Sequence, residues 1–267
     1  MKVVNLVTLT ACLIMIHSAV LAAESDYARF TVSAATEYTT GTYGGDADIE
    51  DIYVPLSGTV DLRRFSFRLT VPYLSVRAPE GTMIIGPGGE PIPGTGDLTT
   101  NSGLGDIIAS ATVYDVVYRR QRDFAIDLTG RVKFGTADAE KGLGTGETDY
   151  SVRADFLKFL DRFTLIGALG YKFRGDTADT DFNNVLTASA GGTYKFTPML
   201  KGGLFLDYRE SAISGNDSIQ ELSAFLSRKV SENWRLQVYV MTGFTDSSVD
   251  WGGGIQVKRA LYDRRDD

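Results

Sequence analysis

Charged side chains recur at every second position along several segments of this sequence, and they are the residues whose types and spacing could do chemistry. On one segment Asp127, Arg131 and Lys133 alternate with apolar residues, and on another Lys172 and Arg174 do so. Alternation places every second residue of a strand on the same face, so these charges share one side of a sheet. Rings of charged side chains around an aqueous path can select ions. Charges of opposite sign can equally pair across strands and fill the same space.

The candidate residues for such a lumen carry charges of both signs and neither sign dominates, which weakens the argument for a dedicated anion channel. They are Arg68, Asp127, Arg131, Lys133, Arg153, Asp155, Lys172, Arg174, Lys201, Asp207, Arg209 and Glu221.

The sequence offers few residues for disulfide formation, metal binding or catalysis. Cys12 and His17 are the only cysteine and histidine, and both lie in the first 23 residues. A chain that begins after that segment has no disulfide, no zinc site of the usual kind and no histidine base for hydrolysis. Acidic residues cluster at 46–50 and 176–181 without the spacing of an EF-hand, so solvated loops are favoured over calcium sites. We therefore predict that the protein is not an enzyme and has no cofactor and no metal.

The net charge of −7 argues against a nucleic-acid partner, which would call for a basic patch. Residues 1–23 have the features of a secretory signal peptide: Lys2, an apolar run, and small residues at Ala22 and Ala23. A membrane-spanning helix is the alternative for this run.

About twelve apolar-alternating segments position the charged residues. We place them at 27–38, 51–62, 65–76, 106–117, 123–135, 149–159, 162–174, 184–196, 199–210, 218–229, 233–245 and 248–261. The connections alternate between short turns and longer polar loops, and aromatic residues lie near the segment ends. These features are typical of an all-β, transmembrane, antiparallel up-and-down β-barrel in the outer membrane of a Gram-negative bacterium. A soluble β-sandwich is the alternative, since it shows the same alternation.

The predicted barrel spans 24–262 and is followed by a short polar tail at 263–267. Basic residues concentrate in the short turns and acidic residues in the long loops, so both termini are expected on the periplasmic side. Twelve strands fall between the filled eight-stranded barrels and the open ones of sixteen or more. An open narrow path and a lumen filled by ion pairs are both compatible with that number.

The connection at 78–105 is the longest, and its Gly and Pro content favours irregular backbone over another hairpin. Connections of this length are often functional. Met83, Ile84 and Ile85 are apolar and need cover. They could fold into the barrel mouth as a constriction or an apolar contact for a solute, or they could pack against neighbouring loops.

Several short segments carry a family resemblance. They are 71–73 (VPY), 102–107 (SGLGDI), 130–136 (GRVKFGT), 142–150 (GLGTGETDY) and 169–173 (LGYKF). With these segments the chain resembles the outer-membrane family named after the MetA pathway of phenol degradation. The resemblance implies an outer-membrane barrel with a role in the uptake of small, often aromatic or hydrophobic compounds, and it supplies no catalytic residues.

The leading hypothesis is therefore a monomeric barrel that passes small solutes passively into the periplasm, with hydrophobic or aromatic compounds as candidates. The alternative is a closed structural or adhesive barrel whose acidic loops contact lipopolysaccharide or an extracellular partner. Outer-membrane lipids and the barrel-assembly machinery are the other expected partners. A barrel phospholipase is disfavoured, because its chemistry needs a histidine base.

Overall fold

A computed structural model describes residues 27–86 and 91–264. The predicted signal peptide at 1–23 lies outside the described residues. The strands are β1 (Ala28–Gly41), β2 (Ile49–Leu62), β3 (Phe65–Pro79), β4 (Met83–Ile84), β5 (Pro91–Ile92), β6 (Leu98–Leu104), β7 (Ile108–Arg119), β8 (Phe124–Lys133), β9 (Asp149–Leu160), β10 (Phe163–Phe173), β11 (Val185–Thr197), β12 (Leu200–Arg209), β13 (Ile219–Lys229), β14 (Trp234–Gly243) and β15 (Trp251–Arg264). Within these ranges, no helix is long and apolar enough to span a membrane.

Twelve antiparallel strands form a closed barrel, which confirms the predicted fold. β1 pairs with β2 on one edge and with β15 on the other, and this last pairing closes the sheet. β3 pairs with β7 through 65–70 and with β6 through 73–79, so β6 and β7 are two pieces of one strand, interrupted at 105–107. Closure provides the backbone N–H and C=O groups with partners inside lipid, where water supplies none.

The two faces of the wall follow the alternation in the sequence. Leu165, Leu169, Val238 and Val240 point outwards and are about half exposed, as are most aromatic residues near the strand ends. Their neighbours in the sequence point inwards and are mainly polar or charged. An apolar outer band with aromatic residues at its borders is what a lipid bilayer requires of a barrel.

The two ends of the barrel differ in the length of their connections. Short turns join β2 to β3, β7 to β8, β9 to β10, β11 to β12 and β13 to β14, and we call this the turn end. The longer loops lie at the opposite end, the loop end. In the two-residue turn between β9 and β10, Asp161 has a φ of 54°, the left-handed conformation that tight hairpin turns use.

The prediction of irregular backbone for 78–105 is wrong. β3 continues through Pro79, β4 pairs with β5 as a small hairpin, and β6 extends the fourth barrel strand by seven residues. The composition concealed these strands because β6 has only polar residues and glycine between its terminal leucines, and it gains its order by pairing with β3. The last strand continues through Asp263 and Arg264, which the sequence analysis places in the polar tail, and Asp263 lies opposite Arg29.

Candidate functional site

The hairpin β4–β5, here called the mouth hairpin, lies inside the barrel at the loop end. Ile84 is 3 % exposed and packs in a cluster with Leu74, Val76 and Leu143. Leu74 and Val76 share the inward face of β3 with Arg68, so the hairpin contacts the inner wall. The backbone N–H of Ile84 donates to the carbonyl of Gly142 at 2.8 Å, which joins the hairpin to the β8–β9 loop.

A second apolar cluster holds the other side of the mouth hairpin. Ile85 is 1 % exposed and packs with Phe182, Val185 and Ala212, and Met83 borders this cluster. The apolar residues therefore lie in the barrel mouth, where neighbouring loops cover them, and their role as a constriction stays a prediction.

Buried charges surround the base of the mouth hairpin. Asp149 begins β9 directly opposite Lys133 on β8. Its Oδ2 lies 3.4 Å from Lys133 Nζ, 3.5 Å from Lys172 Nζ and 3.9 Å from the Arg174 guanidinium. Arg174 in turn donates to the carbonyl of Ile85 at 2.8 Å. The network thus connects three strands of the wall to the hairpin backbone.

Asp106 completes this network from the interruption between β6 and β7. Its Oδ2 lies 3.0 Å from Lys133 Nζ, and its Oδ1 accepts the backbone N–H groups of Thr136 and Ala137 at 3.0 and 2.9 Å. The Asp106 and Lys133 side chains are 5 % and 3 % exposed. Charges buried this deeply are tolerated because they are paired and hydrogen-bonded.

A cavity of about 300 Å³, here the loop-side cavity, lies inside the wall next to this network. Of the predicted lumen residues it brings together Arg131, Lys133, Arg153, Lys172, Asp207, Arg209 and Glu221. Asp207 accepts a hydrogen bond from Ser189 at 2.6 Å, and Arg153 pairs with Asp155 at 2.9 Å.

A second cavity of about 480 Å³, here the turn-side cavity, occupies the barrel at the turn end. Arg68 and Lys201 of the predicted set line it. Asp127 lines neither cavity. Its carboxylate accepts the backbone N–H of Asp115 at 2.8 Å and so fixes the irregularity of β7 between Val113 and Val117. The functional assignment of the predicted lumen residues stays a prediction.

Sequence reasoning left out Asp106 and Asp149, because only strand register reveals that they meet Lys133. It also left out Lys229, which lines the turn-side cavity. Arg235 and Lys258 line the same cavity, and alternation with apolar residues places both on the inner face of their strands.

Outside the mouth hairpin, the long loops enclose a third cavity of about 620 Å³ lined by Asp46, Asp217 and Asp246. Tyr43 lies at its base, and burial raises the pKa of its hydroxyl, which keeps the side chain neutral. Among the described residues no group of three or more acidic side chains is arranged to hold a metal ion.

Comparisons with known proteins agree with this architecture. Residues 23–258 match the model of the family described as "Putative MetA-pathway of phenol degradation". An outer membrane channel from Pseudomonas putida F1 superposes with a TM-score of 0.67 at 13% identity, covering 88% of this chain and 95% of that one. A search of curated proteins gave no significant match.

Two further barrels are similar in fold. A KdgM porin superposes with a TM-score of 0.53 at 12% identity, covering 87% of this chain and 99% of that one. The translocator domain of the autotransporter NalP from Neisseria meningitidis has a TM-score of 0.50 at 9% identity, with 95% of each chain covered. The chain therefore has the fold of the outer-membrane β-barrels of Gram-negative bacteria, and that is the membrane it spans.

Proposed function

This chain belongs to the family described by the MetA pathway of phenol degradation, and from that premise we propose that it is a passive outer-membrane channel for small solutes. Solutes move down their own concentration gradient from the loop end, which we place outside, to the turn end in the periplasm. The similar barrel from Pseudomonas putida F1 is an outer membrane channel, which supports this class of function.

The observation that carries the proposal is the presence of two cavities inside the barrel, each lined in part by charged side chains. Ion pairs concentrate at the loop end, around Asp149, whereas Arg68, Arg131 and Lys201 form none among the described residues. A lumen whose charges served only to fill and stiffen it would pair them throughout. Solvated charges along the wall instead suit an aqueous path.

The mouth hairpin is the constriction of this channel. It lies where a solute must enter, and it is held by two small apolar clusters, by the hydrogen bond from Ile84 to Gly142 and by the hydrogen bond from Arg174 to Ile85. Movement of the hairpin would widen the entrance without breaking a barrel strand. Met83 is the most accessible apolar residue of Met83, Ile84 and Ile85, so a hydrophobic or aromatic solute would meet its apolar contact there.

A closed structural or adhesive barrel is the second candidate. The packed clusters around Ile84 and Ile85 favour it, because they cover the mouth in this conformation. In that case the acidic loops around the outer cavity, with Asp46, Asp217 and Asp246, would contact lipopolysaccharide through divalent cations.

Reconstitution of the purified monomer in planar bilayers separates the two candidates. A channel gives discrete conductance steps in potassium chloride, and a strain that lacks the gene takes up its solutes more slowly. A folded barrel that gives no conductance, combined with unchanged uptake, would contradict the channel and support the closed barrel.

A further inference from the structure

The lining of the turn-side cavity is strongly basic although the chain as a whole is acidic. Six lining residues are basic: Arg29, Arg68, Lys201, Lys229, Arg235 and Lys258. Two are acidic: Asp61 and Glu232. Six positive and two negative charges give a formal charge of +4, against −7 for the chain. The excess of positive charge is therefore a local property of this part of the lumen.

Strand register places several of these cations directly against one another. Lys229 on β13 lies opposite Arg235 on β14, and Arg235 lies opposite Lys258 on β15. The three form one row across three adjacent strands. Lys201 on β12 lies opposite Lys195 on β11 in a second pair. Like charges directly opposite each other destabilise a sheet, so this arrangement requires a compensating anion or a functional reason.

The protein itself compensates one of the six basic residues, since Arg29 lies 3.9 Å from Asp263. Among the described residues Arg68, Lys201, Lys229, Arg235 and Lys258 form no ion pair.

Within the described part of the chain, the side-chain hydrogen bonds of Arg68 and Arg235 go to hydroxyl groups. Arg68 Nε donates to Thr59 at 3.1 Å, and an Arg235 terminal nitrogen reaches Ser227 at 3.5 Å. A guanidinium carries five N–H donors, so both arginines keep donors for a ligand in the cavity. Paired N–H donors of this kind match the two oxygens of a carboxylate.

We propose that the turn-side cavity is an anion-binding chamber that makes the channel selective for small carboxylates. This inference rests on the proposed channel function and adds its substrate class. An anion that enters the chamber neutralises the positive charge of the cross-strand row Lys229–Arg235–Lys258. It also accepts hydrogen bonds from the free N–H groups of Arg68 and Arg235. A cation meets the same row and is repelled.

The first test measures the reversal potential of the reconstituted channel under a gradient of potassium chloride. The expected result is a preference for chloride over potassium. A preference for potassium would overturn the selectivity while leaving the channel function in place. A folded barrel without conductance would instead overturn the channel function, so the two failures are distinguishable.

The second test changes the charge of the chamber. The variant Lys201→Gln, Arg235→Gln, Lys258→Gln is expected to lose the preference for chloride. The matched control Arg63→Gln, Arg120→Gln, Arg162→Gln removes the same charge from exposed positions in the short turns. It is expected to keep the preference, and an equal shift in both variants would assign the selectivity to surface charge and overturn the chamber.

The third test uses benzoate and its neutral counterpart benzamide as probes of the carboxylate. Benzoate is expected to reduce the chloride current of the native channel and to lose this effect in the chamber variant. Benzamide at the same concentration is expected to have no effect. Inhibition by both compounds or by neither would contradict recognition of the carboxylate.

Discussion

At the scale of single residues, the most demanding feature is the set of buried charges at the loop end. Asp106 and Asp149 hold Lys133 between them, and each also fixes backbone: Asp106 accepts from Thr136 and Ala137, and Asp149 accepts from Gly175 at 3.2 Å. Removal of one partner from a buried pair leaves an uncompensated charge, which costs more than the pair contributes.

We predict that Asp106→Asn destabilises the barrel by about 3 to 5 kcal/mol, because it leaves Lys133 with a weakened counter-charge in a buried place. The matched control is Glu50→Gln, which breaks an ion pair with Arg77 of nearly the same length, 3.1 Å, on the surface. Exposed pairs contribute about 1 kcal/mol or less. Urea unfolding in lipid vesicles measures both, and equal losses would contradict a structural role for the buried network.

The buried pair of Lys133 and Asp106 also shows how far the sequence alone could predict the site. Alternation correctly assigned Lys133 to the inner face, because its strand has a clear period of two. It could not identify Asp106 as its partner, because Asp106 lies in a strand interruption whose position depends on the pairing of β3 with both β6 and β7.

At the scale of elements, the mouth hairpin is the part of the barrel that we propose controls access to the lumen. Its strands have only two residues each, so backbone pairing alone cannot hold it in place. The two apolar clusters and the hydrogen bonds from Ile84 to Gly142 and from Arg174 to Ile85 supply the remaining stability. The barrel strands were predictable because lipid and lumen impose opposite polarities on alternate residues. The hairpin was not, because its cover comes from loops that are distant in sequence.

We predict that Ile84→Ser with Ile85→Ser raises the single-channel conductance. Loss of a buried isoleucine costs about 2 to 5 kcal/mol, enough to release a hairpin of this size from both clusters. The control Leu98→Ser with Leu104→Ser alters two exposed apolar residues of β6 and is expected to leave conductance unchanged. Unchanged conductance in the isoleucine variant, with the barrel folded, would contradict the role of the hairpin as constriction.

At the scale of the whole molecule, one wall separates two environments. The outer face carries exposed leucine, valine and aromatic side chains, and the inner face carries charges and hydroxyls. The same substitution at two adjacent positions of a strand should therefore have different effects on stability, because one residue faces lipid and its neighbour faces the lumen.

We predict that Val238→Arg costs about 2 to 4 kcal/mol, since it places a charge against lipid near the middle of β14. Gln237→Arg adds the same side chain to the polar lumen, and we expect it to change the free energy of unfolding by about 1 kcal/mol or less. Urea titration of the folded fraction, read from its mobility in unheated gels, compares them. Equal destabilisation would contradict the assignment of the two faces.

The central claim is that water and solutes pass through the barrel interior, and thiol labelling tests it most directly. With Cys12 replaced by alanine, no cysteine remains, so a single one can be placed at will. Thr187 lines the loop-side cavity, and its neighbour Leu186 is exposed on the outer face. A neutral maleimide should lower the conductance of Thr187→Cys irreversibly and leave that of Leu186→Cys unchanged. A Thr187→Cys barrel that is fully labelled by mass spectrometry and conducts as before would contradict the claim.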